Sequence, residues 1–240
     1  MIFNQHEFDI SFEWGENGAA ELAPISQAVI MVDVLSFSTV VDIAVGRGAV
    51  VFPYRVRDAG ATEFAESVGA ILANPFGTRD GYSLSPESLL QVKAGTRLVL
   101  PSPNGSTLSL TTGRTPVFAG CLRNARAVAV AASRYGSRIA VIAAGERWRN
   151  DYSLRPSFED LIGAGAIISY LSGSFSPEAV SAVAAFRAVN PMLFEYLRQC
   201  SSGKELIEHG FSEDIRLASQ LDASDSAPIL VDGTFINGAR

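Results

Sequence analysis

The chain has 240 residues, of which 48% are hydrophobic and 18% are charged. This balance is typical of a compact globular protein and argues against a disordered, collagen-like or coiled-coil chain. The 25 acidic residues outnumber the 19 basic residues, which gives a formal net charge of −6. Because an acidic surface repels phosphate backbones, nucleic acid is not an expected partner.

The sequence predicts neither export nor membrane insertion. Asp33 and Asp42 interrupt the apolar stretch 28–45, which is too polar to cross a bilayer as one helix. Segment 1–16 contains acidic residues and lacks the basic start and apolar run of an export signal. The two cysteines, Cys121 and Cys200, indicate a reducing compartment rather than a disulfide scaffold. We therefore expect a cytoplasmic protein without membrane contact.

Short runs rich in β-branched residues alternate with helical patterns along most of the chain. The predicted strands cover residues 28–34, 49–56, 97–102, 116–120, 138–145 and 228–233. The predicted helices cover residues 36–45, 58–68, 124–134 and 158–171. This alternation favours an α/β fold with a mainly parallel sheet and helices on both faces.

Residues 177–221 form an almost wholly helical stretch. Helix caps are predicted at four polar residues, Ser176, Asn190, Ser202 and Ser212. Because a strand follows near residue 229, this stretch is expected to pack on the same sheet. No linker or repeat divides the chain, so residues 1–240 are predicted to form a single domain. Segment 74–87 concentrates Gly, Pro, Ser and Asp and is a candidate mobile loop.

The first candidate site residues follow the strand 28–34. In an open α/β sheet, ligands bind in the crevice beyond the carboxyl ends of the strands. Asp33 lies at such an end, where it either holds a metal or attacks phosphorus, or simply accepts hydrogen bonds from turn amides. Ser36 and Ser38 follow at the start of the next helix, where amides and hydroxyls favour an anion.

Two further strand ends carry residues suited to phosphate. Asn104, Gly105 and Ser106 either mark a hairpin turn or open a helix around a phosphate. Arg123 and Asn124 follow the strand 116–120, where the guanidinium would clamp phosphate or sulfonate in bidentate fashion. Helix capping by Asn124 is the alternative interpretation of that pair.

Acidic residues provide a candidate metal site. Glu146 follows the strand 138–145, and Ser157 with Asp160 forms a capping-box pattern that leaves Glu159 free. Together with Asp33, these acids make four carboxylates that we expect to converge without a nearby histidine. Such an all-oxygen site suits Mg²⁺ far better than Zn²⁺. With two histidines in the chain, a Ser/His/Asp triad is not expected.

Several segments, taken in order, resemble the 2-phosphosulfolactate phosphatase family, the ComB proteins. They are VDVLSFSTVVDIAVGRGA, LPSPNGST, GCLRNA, AAGERW followed by SFEDLIGAGAII, and CSSGKELIEHGFSEDIRLASQLDASDSAPIL. Each block alone is a weak signal, whereas the ordered set, from about residue 28 to 230, is specific. The resemblance implies a three-layer α/β/α sandwich with a largely parallel or mixed central sheet. It also implies Mg²⁺-dependent hydrolysis of 2-phosphosulfolactate to sulfolactate and phosphate, a step toward coenzyme M in methanogens.

The chain departs from the family pattern in two places. The family usually has DVLRA in its first block, whereas this chain has Ser36 at the position of the Arg. The family also tends to carry a GER segment followed by an NSP run in the loop after the third strand. In the matching region 74–87, this chain keeps only Arg79 and the pair Ser85 and Pro86. These departures predict a retained phosphoryl site with altered recognition of the sulfonate.

The working hypothesis is therefore a Mg²⁺-dependent phosphatase acting on a small phosphorylated acid, with a homodimer as a possible assembly. The predicted catalytic residues are Asp33, Glu146 and Glu159, and the predicted metal ligands are these three with Asp160. The predicted substrate-binding residues are Ser36, Ser38, Asn104, Gly105, Ser106, Arg123 and Asn124. Two alternatives stay open: a non-catalytic phosphometabolite-binding homologue, and a phosphatase for another small phospho-acid.

Overall fold

The structure, a computed structural model, describes residues 2–75, 77–78 and 80–238 of the chain. The strands in these ranges are β1 (Ile10–Trp14), β2 (Ala28–Val32), β3 (Val50–Tyr54), β4 (Ile71–Leu72), β5 (Arg97–Pro101), β6 (Val117–Gly120), β7 (Ile139–Ala143), β8 (Glu146–Arg147), β9 (Leu154–Arg155), β10 (Pro228–Val231) and β11 (Thr234–Asn237). The α-helices are α1 (Gly15–Leu22), α2 (Phe37–Gly46), α3 (Ala59–Ser67), α4 (Gly105–Ser109), α5 (Ala125–Ser133), α6 (Phe158–Ile168), α7 (Pro177–Val189), α8 (Leu193–Gln199), α9 (Ser201–Glu208) and α10 (Ser212–Ala218).

A large mixed sheet has the strand order β1-β7-β2-β6-β10-β11-β3-β5-β4. Strands β1, β7, β2 and β6 are parallel to one another, and so are β3, β5 and β4. The hairpin β10–β11 joins the two parallel sets through antiparallel pairs on both of its sides. Three successive antiparallel pairs separate the sets, so the sets run in opposite directions. The prediction of an α/β fold with a mixed sheet is confirmed.

Helices cover both faces of the sheet because its central strands are apolar on both sides. In β2, Val29 and Met31 belong to a buried cluster that includes residues of α1, α2 and α4. Ile30 and Val32 belong to a second cluster with residues of α5, α6 and α7. Full burial of each such side chain stabilises the fold by about 1.5–3 kcal/mol. The three-layer arrangement follows from this two-sided burial.

The helical stretch after residue 176 joins the second of these clusters. Helix α7 packs against α6 and β1, and apolar residues of α8, α9 and α10 belong to the same buried cluster. The expectation that the whole stretch 177–221 packs on the same sheet stays a prediction. The assignment of residues 1–240 to a single domain stays a prediction. Within the described ranges, no helix is long and apolar enough to cross a membrane.

Two of the four predicted helix caps are correct, because Ser176 is the N-cap of α7 and Asn190 is its C-cap. The Ser176 hydroxyl accepts a hydrogen bond from the Ala179 N–H at 3.1 Å, at the start of α7. The predictions at Ser202 and Ser212 are wrong, because the N-caps of α9 and α10 are Cys200 and Phe211. Asn190 begins a short 3-10 helix, Ser202 is the second residue of α9, and Ser212 is the first residue of α10. At α9 the capping residue is Cys200, so Ser202 is available for another role.

The opposite directions of the two parallel sets affect where a ligand site forms. In a flat sheet, the carboxyl ends of β2 and β5 would lie at opposite edges. Helix α2 contacts β6 of one set and β3 of the other, and residues that follow β2 and β5 line one cavity. The residues that follow these oppositely directed strands thus meet at one cavity.

Candidate active site

A cavity of about 340 Å³ lies beyond the ends of β2, β5 and β7. Asp33 and Ser36 line it from the segment after β2, Asn104 from the segment after β5, and Glu146 from the segment after β7. Ser202 of α9, which lies further along the chain than these segments, also lines the cavity. The structure thus brings together four of the predicted site residues and one residue that was predicted only as a helix cap.

Asp33 is held at the start of α2 by its own loop. Its Oδ1 accepts a hydrogen bond from the Phe37 N–H at 3.2 Å. The Asp33 N–H donates to the Ser38 hydroxyl at 3.0 Å, and that hydroxyl donates to the Asp33 carbonyl at 2.7 Å. Ser38 therefore shapes the loop and is fully buried, so the structure does not place its side chain against a ligand.

The electrostatic environment of Asp33 is unusual for a carboxylate. Burial raises the pKa of Asp33 to about 7, and the carboxylates of Glu146 and Glu159 add to this rise. The Phe37 N–H opposes the shift because it stabilises the charged form. An acid with a strongly raised pKa in a cavity is a candidate functional group. The alternative interpretation, a carboxylate satisfied by backbone amides, accounts for the contacts with the Phe37 and Gly105 N–H groups but not for the acidic neighbours of Asp33.

Glu146 is oriented by Asn104. The Asn104 side-chain amide donates to Glu146 Oε2 at 3.0 Å, which ties the end of β5 to the end of β7. Burial raises the pKa of Glu146, and the Glu159 carboxylate raises it further. The structure resolves the two interpretations of Asn104 and Gly105, because Gly105 begins helix α4. A Cβ atom at Gly105 would lie 2.3 Å from the Phe37 ring, so α4 approaches the Asp33 loop this closely because residue 105 is glycine.

Asp160 has a structural environment. Its Oδ1 accepts from the Val34 N–H at 2.7 Å, and its Oδ2 accepts from the Gly145 N–H at 2.9 Å and from the Ser157 hydroxyl at 2.7 Å. Ser157 precedes α6, but its hydroxyl donates to Asp160 and makes no capping bond to the helix amides. Asp160 therefore fastens α6 to the loops after β2 and β7, and both of its oxygens are engaged.

Glu159 is buried beside the cavity but is not part of its lining. Its side chain is close enough to raise the pKa of Asp33 and Glu146. Burial raises the pKa of the Cys200 thiol to about 12, and the Glu159 carboxylate contributes to that rise. Glu159 therefore lies between the acidic cavity and the start of α9.

Three further predicted substrate-binding residues point into the protein. Ser106 is fully buried, and its hydroxyl donates to the Leu100 carbonyl at 2.9 Å. The Asn124 side chain accepts from the Cys121 N–H at 2.9 Å and donates to the Ala119 carbonyl. Arg123 donates to Asp42 at 3.0 Å and to Gln220, away from the cavity lining. The Arg123 guanidinium, predicted to bind phosphate or sulfonate, thus pairs with the buried Asp42 carboxylate.

The four predicted metal ligands do not form one ligand set in the structure. Asp33 and Glu146 line the cavity, whereas Glu159 lies outside the lining and Asp160 is saturated by donors. Across the described residues, no three side chains of His, Cys, Asp or Glu are arranged to hold one metal ion. Mg²⁺ usually takes one or two protein carboxylates, with waters and substrate phosphate as its other ligands. Asp33 and Glu146 fit that smaller donor set.

The cavity lining is acidic. It contains the carboxylates of Asp33, Glu146 and Glu205, and none of the described residues that line it is Lys or Arg. Glu205 pairs with Arg149 at 2.9 Å near the protein surface. Sequence reasoning missed both Glu205 and Ser202, since they lie in a helix far along the chain from the predicted strand ends. Arg79, matched to the family loop, lies outside the described residues.

The fold and this cavity define an α/β protein with an acidic pocket for a small ligand at the ends of its strands. The chain belongs to the 2-phosphosulpholactate phosphatase family, whose sequence pattern matches residues 18–233. The family resemblance drawn from the ordered motifs is therefore confirmed.

Individual relatives agree with this membership. The chain is 28% identical over 206 residues to the 2-phosphosulfolactate phosphatase of Methanothermobacter thermautotrophicus, covering 85% of this chain and 87% of that protein. It is 27% identical over 223 residues to the probable 2-phosphosulfolactate phosphatase of Pseudothermotoga lettingae, covering 90% and 96% of the two chains. A probable 2-phosphosulfolactate phosphatase of Gloeobacter violaceus is 31% identical over 137 residues, 56% of each chain.

Proposed function

We propose that this protein is a Mg²⁺-dependent phosphomonoester hydrolase that converts 2-phosphosulfolactate to sulfolactate and phosphate. The observation that carries the proposal is the pair of carboxylates, Asp33 and Glu146, facing one cavity in a chain of this family. A lining without Lys or Arg, within the described residues, repels a phosphorylated acid unless a cation intervenes.

Asp33 and Glu146 would hold Mg²⁺ between them. When bound, Mg²⁺ neutralises the phosphoryl oxygens and polarises the phosphorus toward attack. The chain's own residues position these two acids. The Phe37 and Gly105 N–H groups stabilise the Asp33 carboxylate, and the Asn104 amide holds one oxygen of Glu146, so the other Glu146 oxygen stays available to the cavity.

Apolar residues of the lining complete the site. Leu35, Leu84 and Leu206 line the same cavity as the two acids. Apolar walls lower the local dielectric, which strengthens the attraction between the carboxylates and any cation they share. The same burial raises the pKa of Asp33.

Two other functions remain in competition because Ser36, an uncharged residue, lines the cavity. One is a non-catalytic protein that binds a phosphorylated metabolite, and the other is a phosphatase for a different small phospho-acid. The cytoplasmic location, the homodimer and the place of the reaction on a route to coenzyme M also stay predictions.

A panel of phosphate-release assays tests the proposal. The purified chain is incubated with 2-phosphosulfolactate, 2-phospholactate and 2-phosphoglycolate, each with Mg²⁺ and with a chelator. We expect Mg²⁺-dependent release that is fastest from 2-phosphosulfolactate. Faster release from another acid would replace the substrate, and saturable binding without release would favour the non-catalytic protein.

A further inference from the structure

Helix α9 presents its amino-terminal turn at the cavity. Ser202, Glu205 and Leu206 line the cavity, and they occupy one face of the helix at positions i, i+3 and i+4. Ser202 belongs to the first turn, where main-chain N–H groups have no acceptor within the helix. The end of α9 that carries a partial positive charge is therefore next to the acidic site.

The first turn leaves two of its N–H groups for an outside acceptor. The Gly203 N–H is directed to the Cys200 sulfur at 3.4 Å, and the Lys204 N–H donates to the Cys200 carbonyl at 3.0 Å. The N–H groups of Ser201 and Ser202 come before these two and precede the first intrahelical acceptor. The helix start is thus only partly capped by its own chain.

Ser202 supplies an independent observation. Its side chain is 7% exposed, and its hydroxyl oxygen has no hydrogen-bond partner in the part of the chain that the structure describes. Buried hydroxyls are nearly always paired, because an unpaired one loses its bonds to water without compensation. Ser202 lines the cavity while its hydroxyl oxygen has almost no accessible surface, and rotation of the side chain about its Cα–Cβ bond would turn this unpaired hydroxyl toward a ligand there.

The turn is rigid enough to act as a preformed site. A Cβ atom at Gly203 would lie 1.8 Å from the Leu197 carbonyl oxygen, so α9 packs directly against the end of α8. Close packing holds the backbone of this turn, and with it the neighbouring N–H groups, in place before a ligand arrives. The nearby Glu205 carboxylate pairs with Arg149 at the surface, which offsets part of its negative charge.

We propose that the amino-terminal turn of α9, through Ser202, binds an acid group of the substrate other than its phosphate ester. This inference rests on the proposed function for the class of ligand. The phosphoryl group belongs at the acidic pair with the cation, so a second oxyanion of the same molecule needs a different partner. That oxyanion is the sulfonate or the carboxylate of sulfolactate, and hydroxyl and N–H donors suit either one.

The test compares two serines that share one defect. Ser226 is also buried, and its hydroxyl also lacks a partner within the described residues, but Ser226 does not line the cavity. Ser202→Ala and Ser226→Ala each remove one such hydroxyl. We expect both variants to melt at or above the temperature of the wild type, because neither loses a hydrogen bond within the protein. Binding should separate them.

The dissociation constants of sulfolactate, lactate and inorganic phosphate are measured by calorimetry in the presence of Mg²⁺. Ser202→Ala should weaken sulfolactate binding by about tenfold or more, as expected for a hydrogen bond to a charged group. It should leave phosphate binding unchanged, and Ser226→Ala should leave all three constants unchanged. A matching loss for lactate identifies the carboxylate as the bound group, and retention of lactate affinity identifies the sulfonate.

Three outcomes would overturn the proposal: unchanged sulfolactate affinity in Ser202→Ala, an equal loss of phosphate affinity, or no sulfolactate binding by the wild type. Phosphate release by the wild type is recorded in parallel. Release with unaltered sulfolactate binding in Ser202→Ala removes the α9 subsite and keeps the phosphatase. Ser202-dependent binding without release keeps the subsite and removes the phosphatase.

Discussion

Two groups of buried acidic side chains differ in their partners. Asp42 in α2 is fully buried, and its carboxylate accepts from Arg123 at 3.0 Å and from the Ser224 hydroxyl at 2.6 Å. Asp33 and Glu146 face a cavity that no Lys or Arg of the described residues lines. The Asp42 group therefore has its cation within the chain, whereas the described lining of the Asp33 cavity supplies none.

The pKa values of the two groups show the same contrast. Burial raises the pKa of Asp42 to about 6, although Ser224 and Arg123 oppose the rise. Burial raises the pKa of Asp33 to about 7, and there the Glu146 carboxylate adds to it. Burial alone thus does not distinguish a structural acid from a functional one. What differs between these two groups is the sign of the neighbouring charge.

The largest expected effect is on activity, at the pair of acids Asp33 and Glu146 that faces the cavity. Asp33→Asn keeps the acceptor for the Phe37 N–H and removes the charge that faces the cavity. We expect phosphate release to fall by about 10³-fold or more, since the charge that would hold the cation is lost. The thermal midpoint should stay the same or rise, because a buried charge disappears.

Asp160→Asn is the matched control for that variant. In this variant the side-chain NH₂ group would face one of the N–H or hydroxyl groups that donate to the Asp160 carboxylate in the wild type. We expect a loss of about 1–3 kcal/mol in the free energy of unfolding. Wild-type turnover in Asp33→Asn would remove Asp33 from the mechanism.

The next largest effect is on stability, at the buried Asp42 and its partner Arg123. Arg123→Met leaves the Asp42 carboxylate buried without its cation, and it should cost about 3–5 kcal/mol in urea unfolding. Adding Asp42→Asn removes the stranded charge and should restore a large part of that loss. The folded fraction of Arg123→Met should keep its KM, because Arg123 lies outside the cavity lining. A large rise in KM would instead return Arg123 to the substrate site.

A further buried acid, Asp214, gives the smallest effect because no basic side chain among the described residues pairs with its carboxylate and it does not line the cavity. Its Oδ1 accepts from the Ser85 hydroxyl at 2.8 Å and the Glu87 N–H at 3.0 Å, and burial raises its pKa to about 6. Between pH 4 and 6 the folded state binds a proton that the unfolded state does not, so this group's contribution to stability rises as the pH falls.

Asp214→Asn keeps both accepted bonds and removes the buried charge. At pH 7.5 it should raise the free energy of unfolding by roughly 1–2 kcal/mol, and the gain should vanish near pH 4. Glu213→Gln, on the exposed face of the same helix, is the control and should show no such gain at pH 7.5. A pH-independent difference between Asp214→Asn and wild type would contradict the assignment.

Much of the fold is predictable because local sequence patterns reflect burial. The β-branched runs at 28–34 and 138–145 became the central strands β2 and β7. Strand β1 was missed although its sequence, ISFEW, alternates apolar and polar residues and pairs in parallel with β7. The reversal of direction across β10–β11 was not predictable, since pairing partners lie more than a hundred residues apart.

The candidate site was predictable only where function leaves a local pattern. Asp33, Asn104 and Glu146 each follow a strand, so the rule of strand ends found them. Arg123 was assigned to substrate because its partner, Asp42, is 81 residues away in sequence. Ser202 was taken as a helix cap because serine near a helix start usually is one, and only the structure gives that position to Cys200.

Calorimetric titration with Mg²⁺ tests the central claim most directly, because it needs no substrate. The wild-type chain should bind a single Mg²⁺ saturably, and Asp33→Asn should lose that binding while unfolding at the same or a higher temperature. Absence of saturable Mg²⁺ binding by the wild type, or binding that survives in Asp33→Asn, would contradict an acidic cavity that is completed by a divalent cation.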